Sequence, residues 1–127
     1  MILETGFVID FLRDRQNAIE KASELIRKDE TLFVTSVTIF ELWHGSGIKA
    51  GKKKDKLEKF IDSLNVLVLD QESAKKGGEI HRSLISNGMR IDPEDSMIAG
   101  IAVKHNQKLL TRDEHFSRID GLKTKHY

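Results

Sequence analysis

The 127-residue sequence contains no cysteine and only one proline, Pro93. The lack of cysteine excludes a disulfide framework, a thiolate metal site and a cysteine nucleophile, and it agrees with a reducing cytoplasm. A single proline argues against a proline-rich linker or arm. No apolar run approaches the roughly 20 residues that span a bilayer, and the first residues lack the pattern of a signal peptide. We therefore expect a cytoplasmic protein without a membrane segment.

An excess of charge of one sign is also lacking, because 21 lysine and arginine residues nearly balance 20 aspartate and glutamate residues. The net charge of +1 gives no overall attraction to nucleic acid or membrane, so any such contact needs a local patch. The basic run from Lys52 to Lys56 is most simply explained as the solvated start of a helix, and a contact with phosphate groups is the alternative. The length and the 39% hydrophobic content predict one globular domain over residues 1–127.

Short continuous apolar runs alternate with longer segments of helical periodicity. Such runs are typical of strands buried on both faces of a parallel sheet, and the alternation predicts a three-layer α/β domain. The segment from Val37 to His44 is apolar on more than one side, which predicts a well-buried helix. Asp92 and Pro93 have the form of a helix start. The predicted strands are Ile2-Leu3, Leu32-Phe33-Val34, Val66 to Leu69, Leu109-Leu110 and a weak fifth around Leu122.

Four acidic residues are candidates for a site, because sites in open parallel sheets lie beyond the carboxyl ends of the strands. Glu4 follows the first run and Asp113 the fourth, while Glu41 and Asp95 lie on predicted helices among apolar neighbours. Glu41 is the most informative, since a carboxylate among bulky apolar residues is costly unless it is paired or binds a cation. The other three also have structural explanations as a strand end or as helix caps. Their combined placement favours a shared site.

Other site chemistries lack their sequence patterns. The five histidines have no zinc-site spacing, and neither a glycine-rich nucleotide loop nor a nucleophile elbow is present. Asp70 begins a plain helix-capping sequence and is assigned a structural role.

Four segments, taken in order along the chain, resemble the motifs of PIN-domain proteins. They contain an acid and a threonine after the first strand, a helix with a glutamate before a glycine, an Asp-x-x-Ile-Ala-x-x-Ala helix and a Thr-Arg-Asp-x-x-Phe sequence. The resemblance covers the whole chain and is closest to the VapC type, the toxin nuclease of a toxin–antitoxin pair. The segments are Met1 to Arg13, Thr35 to Gly45, Asp95 to Ala102 and Leu109 to Phe116.

This resemblance implies a parallel sheet of strand order 3-2-1-4-5 with helices on both faces. It implies metal-dependent hydrolysis of RNA phosphodiesters with one or two Mg²⁺ or Mn²⁺ ions, a VapB-type antitoxin as partner, and a homodimer. The acids that would act in catalysis and hold the metal are Glu4, Glu41, Asp95 and Asp113. The residues that would support them or contact the substrate are Thr5, Thr111 and Arg112.

Two positions depart from the motif. Glu4 stands where the family has aspartate, and the extra methylene moves the carboxylate by about 1.5 Å. Gly6 stands where the family usually has serine or asparagine, so a side chain that would cap the first helix is missing. A catalytically weakened PIN fold that binds antitoxin or RNA is therefore the alternative. A phospho-acceptor receiver domain is less favoured, because Glu41 and Asp95 would then have no role.

Overall fold

Five short parallel strands form one sheet in the computed structural model, which describes residues 1–45 and 52–127. The strand order is β3-β2-β1-β4-β5, which confirms the predicted order. In the register of the central pair, Ile2 lies beside Leu109 and Leu3 beside Leu110. The strands are β1 (Ile2–Leu3), β2 (Phe33–Thr35), β3 (Asn65–Leu67), β4 (Leu109–Leu110) and β5 (Thr124–Lys125).

Helices cover both faces of this sheet. Side chains alternate along a strand, so Leu3 and Leu110 pack on one face while Ile2 and Leu109 pack on the other. Helices α1, α2 and α4 contribute to the first core, and α5 and α6 to the second. The predicted three-layer architecture is confirmed. The helices are α1 (Thr5–Leu12), α2 (Gln16–Arg27), α3 (Ser36–His44), α4 (Lys52–Asp62), α5 (Gln71–Ser86) and α6 (Pro93–His105), with a 3-10 turn at Glu114–Arg118.

The central position of β1 and β4 in the sheet explains why their sequences are continuous apolar runs. Ile2 and Leu109 are fully buried, because helices cover the sheet on both sides. The third run differs, since β3 is an edge strand and Val66 and Val68 are exposed. The prediction that this run is buried on both faces is therefore wrong. The fifth strand lies beyond Leu122, which packs against the second core instead.

Helix α3 is less buried than its apolar sequence predicts. Val37 and Leu42 are in the core, but Phe40 is 60% exposed and Trp43 is 39% exposed. A nine-residue helix beside the sheet can bury only one stripe of side chains, so the bulky residues on its outer side face solvent. The expectation of a well-buried helix holds for one side of α3 only.

Two helix starts follow the sequence pattern in different ways. Asp70 caps α5 through a reciprocal pair of hydrogen bonds with Ser73, and Lys104 forms an ion pair with the Asp70 carboxylate. The structural role that the sequence predicts for Asp70 agrees with this geometry. Asp92 occupies the capping position of α6 and Pro93 is the first helical residue, but the Asp92 side chain makes no capping hydrogen bond.

Glycine allows α5 and α6 to pack unusually closely. A Cβ atom on Gly100 would lie 2.4 Å from the carbonyl oxygen of Ser73 and 2.6 Å from the backbone nitrogen of Gly77. No side chain fits at such distances, so the contact requires glycine at position 100. This contact holds α6, which carries an acid in its first turn, closely against α5. Among residues 1–45 and 52–127, no helix has the length and apolar character needed to cross a membrane.

Candidate metal centre

The sheet order creates a crevice at the carboxyl end of its central strands. Successive connections from β1 lead to one side, towards β2 and β3, whereas β4 and β5 lie on the other side. Glu4 directly follows β1, and its backbone nitrogen donates to the carbonyl of Leu110 at the end of β4. The segment that carries Asp113 therefore leaves the sheet next to Glu4. Ligand sites of open parallel sheets lie at such a switch point.

Glu4 is a buried carboxylate with two donors on one oxygen. Its Oε2 accepts a hydrogen bond from the backbone N–H of Gly6 at 2.9 Å, and the hydroxyl of Thr111 lies 3.4 Å away. Only 8% of the residue is exposed. The pKa of Glu4 is raised to about 7, mainly by burial. The Gly6 hydrogen bond opposes this rise in pKa, and the charges of Asp95, Glu41 and Asp113 contribute to it. The other three predicted acids thus lie close enough to Glu4 to affect its pKa.

The capping of α1 corrects one expectation from the sequence. Glu4 itself is the capping residue, because its side chain accepts the Gly6 N–H from an extended backbone conformation. Gly6 lies inside the first turn, so no cap is lost through its missing side chain. The longer acid at position 4 supplies that cap.

Asp95 lies in the first turn of α6, half-buried. Its pKa is raised to about 7, mainly by burial and also by the nearby charges of Glu41, Asp92, Asp113 and Glu94. A helix N-terminus favours a carboxylate, so the sequence allowed a purely structural explanation. The raised pKa has the opposite sign to that of a simple helix cap. It indicates a carboxylate forced into an acidic, poorly solvated environment.

Glu41 projects from α3 and is held by a line of threonine hydroxyls. The hydroxyl of Thr35 donates to that of Thr38, and Thr38 lies 2.9 Å from the hydroxyl of Thr5. Thr5 in turn donates to Glu41 Oε1 at 2.8 Å. Burial is the main cause that raises the pKa of Glu41, and the Thr5 hydrogen bond is the main cause that lowers it. Thr5 therefore orients the Glu41 carboxylate, and the threonines of two motifs meet there.

Asp113 combines a structural role with its place near the acids. Its Oδ1 accepts the backbone N–H of His115 at 2.9 Å and lies 2.7 Å from His115 Nδ1, so it caps the 3-10 turn. Its own backbone nitrogen donates to the hydroxyl of Thr111. Thr111 thus connects the Asp113 loop to the Glu4 carboxylate, from which it lies 3.4 Å.

Arg112 contacts an acid outside the predicted set of four. Its Nε lies 3.4 Å from Oδ2 of Asp10, a buried carboxylate that also accepts the hydroxyl of Tyr127 at 2.7 Å. Asp10 was not among the residues predicted from the sequence. The signal was the same as for Glu41, because Asp10 is a lone acid among the apolar residues of α1. The Arg112 side chain is 59% exposed and forms an ion pair with this carboxylate.

The donor set fits a hard divalent cation, although the side chains do not form a closed ligand cluster. No group of three or more histidine, aspartate and glutamate side chains meets metal-binding geometry among residues 1–45 and 52–127. Carboxylate oxygens are the ligands that Mg²⁺ and Mn²⁺ prefer, and Mg²⁺ retains several waters, so a few carboxylates are sufficient. A cation would also compensate for the burial of charge and the repulsion that together raise the pKa values of Glu4 and Asp95.

Comparison with known proteins identifies the family. The model of the PIN domain matches residues 1–122, which is nearly the whole chain. The chain belongs to the PIN-domain family.

Named relatives align over almost the full length. The chain is 26% identical over 126 residues to "Ribonuclease VapC2" of Rickettsia felis, covering 95% of this chain and 92% of that protein. It is 26% identical over 127 residues to "tRNA(fMet)-specific endonuclease VapC" of Shigella flexneri, covering 98% and 95%. Among solved structures, DNA-bound VapBC from Salmonella typhimurium has a TM-score of 0.85 at 26% identity, covering 98% of this chain and 96% of that chain. The fold of this protein is therefore that of VapC proteins.

Proposed function

We propose that this protein is an endoribonuclease, the toxin of a VapBC-type toxin–antitoxin pair, which hydrolyses RNA phosphodiesters with Mg²⁺ or Mn²⁺ in the cytoplasm. The observation that carries the proposal is the electrostatic coupling of Glu4 to Glu41, Asp95 and Asp113 at the switch point of a PIN-domain sheet. The full-length similarity to proteins named as VapC ribonucleases supports the same activity.

The four acids would hold the cation in this mechanism. When bound, the cation lowers the pKa of a coordinated water and neutralises charge that develops on the phosphoryl oxygens. Thr5 keeps the Glu41 carboxylate oriented through its 2.8 Å hydrogen bond. Thr111 ties the Asp113 backbone to the neighbourhood of Glu4.

Two acids of this site are partly protonated at neutral pH. Glu4 and Asp95 each have a pKa raised to about 7, so each is protonated in a substantial fraction of the metal-free molecules. Carboxylate ligands must be ionised, and cation binding therefore releases protons from these two side chains. Affinity for the cation should accordingly increase as the pH rises from about 6 to 8.

The exposed apolar residues of α3 support partner binding. Phe40 and Trp43 are exposed, whereas Leu57 on α4 is buried in the monomer. Large exposed apolar groups are typical of surfaces that contact other proteins. We expect part of this surface to pack against a second copy of the chain or against a VapB-type antitoxin. A strictly monomeric mass in light scattering at high concentration would contradict the homodimer.

RNA cleavage by the purified protein tests the activity. We expect cleavage with Mg²⁺ or Mn²⁺, none with EDTA, and a loss of at least about a hundredfold in the variant Asp113→Asn. The matched control is Asp120→Asn, which makes the same chemical change at an exposed acid. Cleavage that persists in EDTA, or that survives Asp113→Asn unchanged, would contradict the mechanism.

A different outcome would favour the alternative function. If Mn²⁺ binds but no RNA is cleaved, while the protein still binds an antitoxin or RNA, the chain is a PIN-fold binding module. The presence of Glu4 in place of the motif's aspartate is the observation that supports this second candidate.

A further inference from the structure

Gly6 lies directly against the carboxylate of Glu4. The Gly6 N–H donates to Glu4 Oε2 at 2.9 Å, and a Cβ atom on Gly6 would lie 2.8 Å from that same oxygen. Non-bonded carbon and oxygen atoms do not approach so closely without displacement. Gly6 is helical and does not have a positive φ, so the backbone conformation does not demand glycine. What the missing side chain provides is room for the longer acid.

We propose that Gly6 is a positioning residue that allows Glu4 to serve in the acidic cluster, so that the two residues function as a coupled pair. This inference rests on the proposed function to the extent that the cluster binds a divalent cation. The sequence shows two separate departures from the motif, and the structure shows that they are in contact.

The consequence of adding a side chain at position 6 follows from which atoms can move. The atom in the way is the end of a flexible Glu4 side chain, so the carboxylate would shift and the backbone would stay. The shift would separate Glu4 Oε2 from the Gly6 N–H at 2.9 Å and change its 3.4 Å contact with the Thr111 hydroxyl. A cation bound by this oxygen would then lose a carboxylate ligand, because the oxygen would have moved.

A shorter acid at position 4 removes this conflict. Aspartate withdraws the carboxylate by about one carbon–carbon bond, roughly 1.5 Å, which leaves space for a Cβ atom at position 6. Aspartate is also a favourable helix cap. The effect of a side chain at position 6 should therefore depend on the length of the acid at position 4.

Four proteins test the coupling: the wild type, Gly6→Ala, Glu4→Asp and the double variant. The measurements are Mn²⁺ affinity by isothermal titration, melting temperature in EDTA, and RNA cleavage. When residue 4 is glutamate, we expect Gly6→Ala to weaken Mn²⁺ binding and RNA cleavage by roughly tenfold or more, since displacements near 1 Å have large effects. In the Glu4→Asp background the same change should alter both by less than about twofold. The control is Gly78→Ala in α5, where a Cβ atom would have no neighbour within 4 Å.

The melting temperature in EDTA provides a readout that needs neither metal nor activity. Gly6→Ala should lower it in the wild type, because the Glu4 cap is displaced. It should raise it in the Glu4→Asp background, because alanine favours a helix over glycine. The control Gly78→Ala should raise it in both backgrounds by the same amount.

The outcomes separate this inference from the proposed function. If Gly6→Ala has the same effect in both backgrounds on melting temperature and on Mn²⁺ affinity, the coupling is refuted. If the coupling appears in the melting temperatures while no variant cleaves RNA, the pair is confirmed and the nuclease function is refuted. If all variants bind Mn²⁺ equally well, Gly6 has no role in positioning a metal ligand.

Discussion

The substitution Asp95→Asn should stabilise the metal-free protein at pH 8 while it weakens the stabilisation by Mn²⁺. The folded protein raises the pKa of Asp95 from 3.8 to about 7, mainly through burial. Between about pH 4 and 7 the folded state therefore holds a proton that the unfolded chain has released. Stability of the metal-free protein falls as the pH rises through this window, and above pH 7 the full cost of the charge is present. Asparagine is neutral at every pH and avoids that cost.

The size of the effect depends on two opposing contributions. A tenfold change in proton affinity corresponds to about 1.4 kcal/mol, so the rise from 3.8 to about 7 corresponds to about 4 kcal/mol at most. Asp95 is only half-buried, and solvent screening reduces this to about 2 kcal/mol. The charge also gains about 0.5 kcal/mol from the helix dipole in the first turn of α6. The net gain for Asp95→Asn is about 1.5 kcal/mol, or roughly 5 °C in melting temperature.

Thermal unfolding followed by circular dichroism, in EDTA at pH 8 and at pH 4.5, measures this directly. The advantage of Asp95→Asn should be largest at pH 8 and should shrink at pH 4.5, where folded Asp95 is protonated. Addition of Mn²⁺ at pH 8 should then stabilise the wild type more than the variant. Asp120→Asn, at an exposed site, should show neither effect. A lower melting temperature of Asp95→Asn in EDTA at pH 8 would refute the reasoning, because Asp95 would then act as an ordinary helix cap.

Three further predictions concern the rest of the molecule. Millimolar Mn²⁺ should raise the unfolding free energy of the wild type at pH 8, by about 2.7 kcal/mol if the metal is at a hundred times its Kd, and an unchanged melting curve would count against a metal site. Tyr127→Phe should cost about 1–2 kcal/mol in urea unfolding, because buried Asp10 loses a hydrogen bond of 2.7 Å, yet it should leave the Mn²⁺ response intact. Gly100→Ala should cost at least about 2 kcal/mol, because its Cβ atom would lie 2.4 Å from the Ser73 carbonyl, whereas Gly78→Ala should be stabilising by the same measurement.

The exposed apolar residues show where sequence reasoning was wrong about the fold. Phe40, Trp43, Val66 and Val68 lie in apolar segments that the sequence predicts to be buried, yet all four are exposed. An apolar pattern reports which residues prefer to leave water, but it does not say whether a neighbouring element covers them. β3 is at the edge of the sheet, and α3 has only one side against the core.

The acids of the candidate site were also only partly predictable from the sequence. Glu41 was predicted from a purely physical argument, and its raised pKa agrees with a carboxylate in an apolar setting. Asp10 has the same sequence signal, but its carboxylate pairs with Tyr127 and Arg112. No local pattern distinguishes Glu41 from Asp10, because their partners come from distant parts of the chain.

The sequence by itself determined the alternation of strands and helices, the positions of the acids after the strands, and the motif order that implies a PIN domain. These properties are local, since periodicity and capping depend on residues a few positions apart. Only the tertiary structure decided that Glu4 and Gly6 are in contact, that Thr5 donates a hydrogen bond to Glu41, and that Arg112 pairs with Asp10. Contacts of this kind depend on distances of a few tenths of an ångström between packed elements, and residue order alone does not specify such distances.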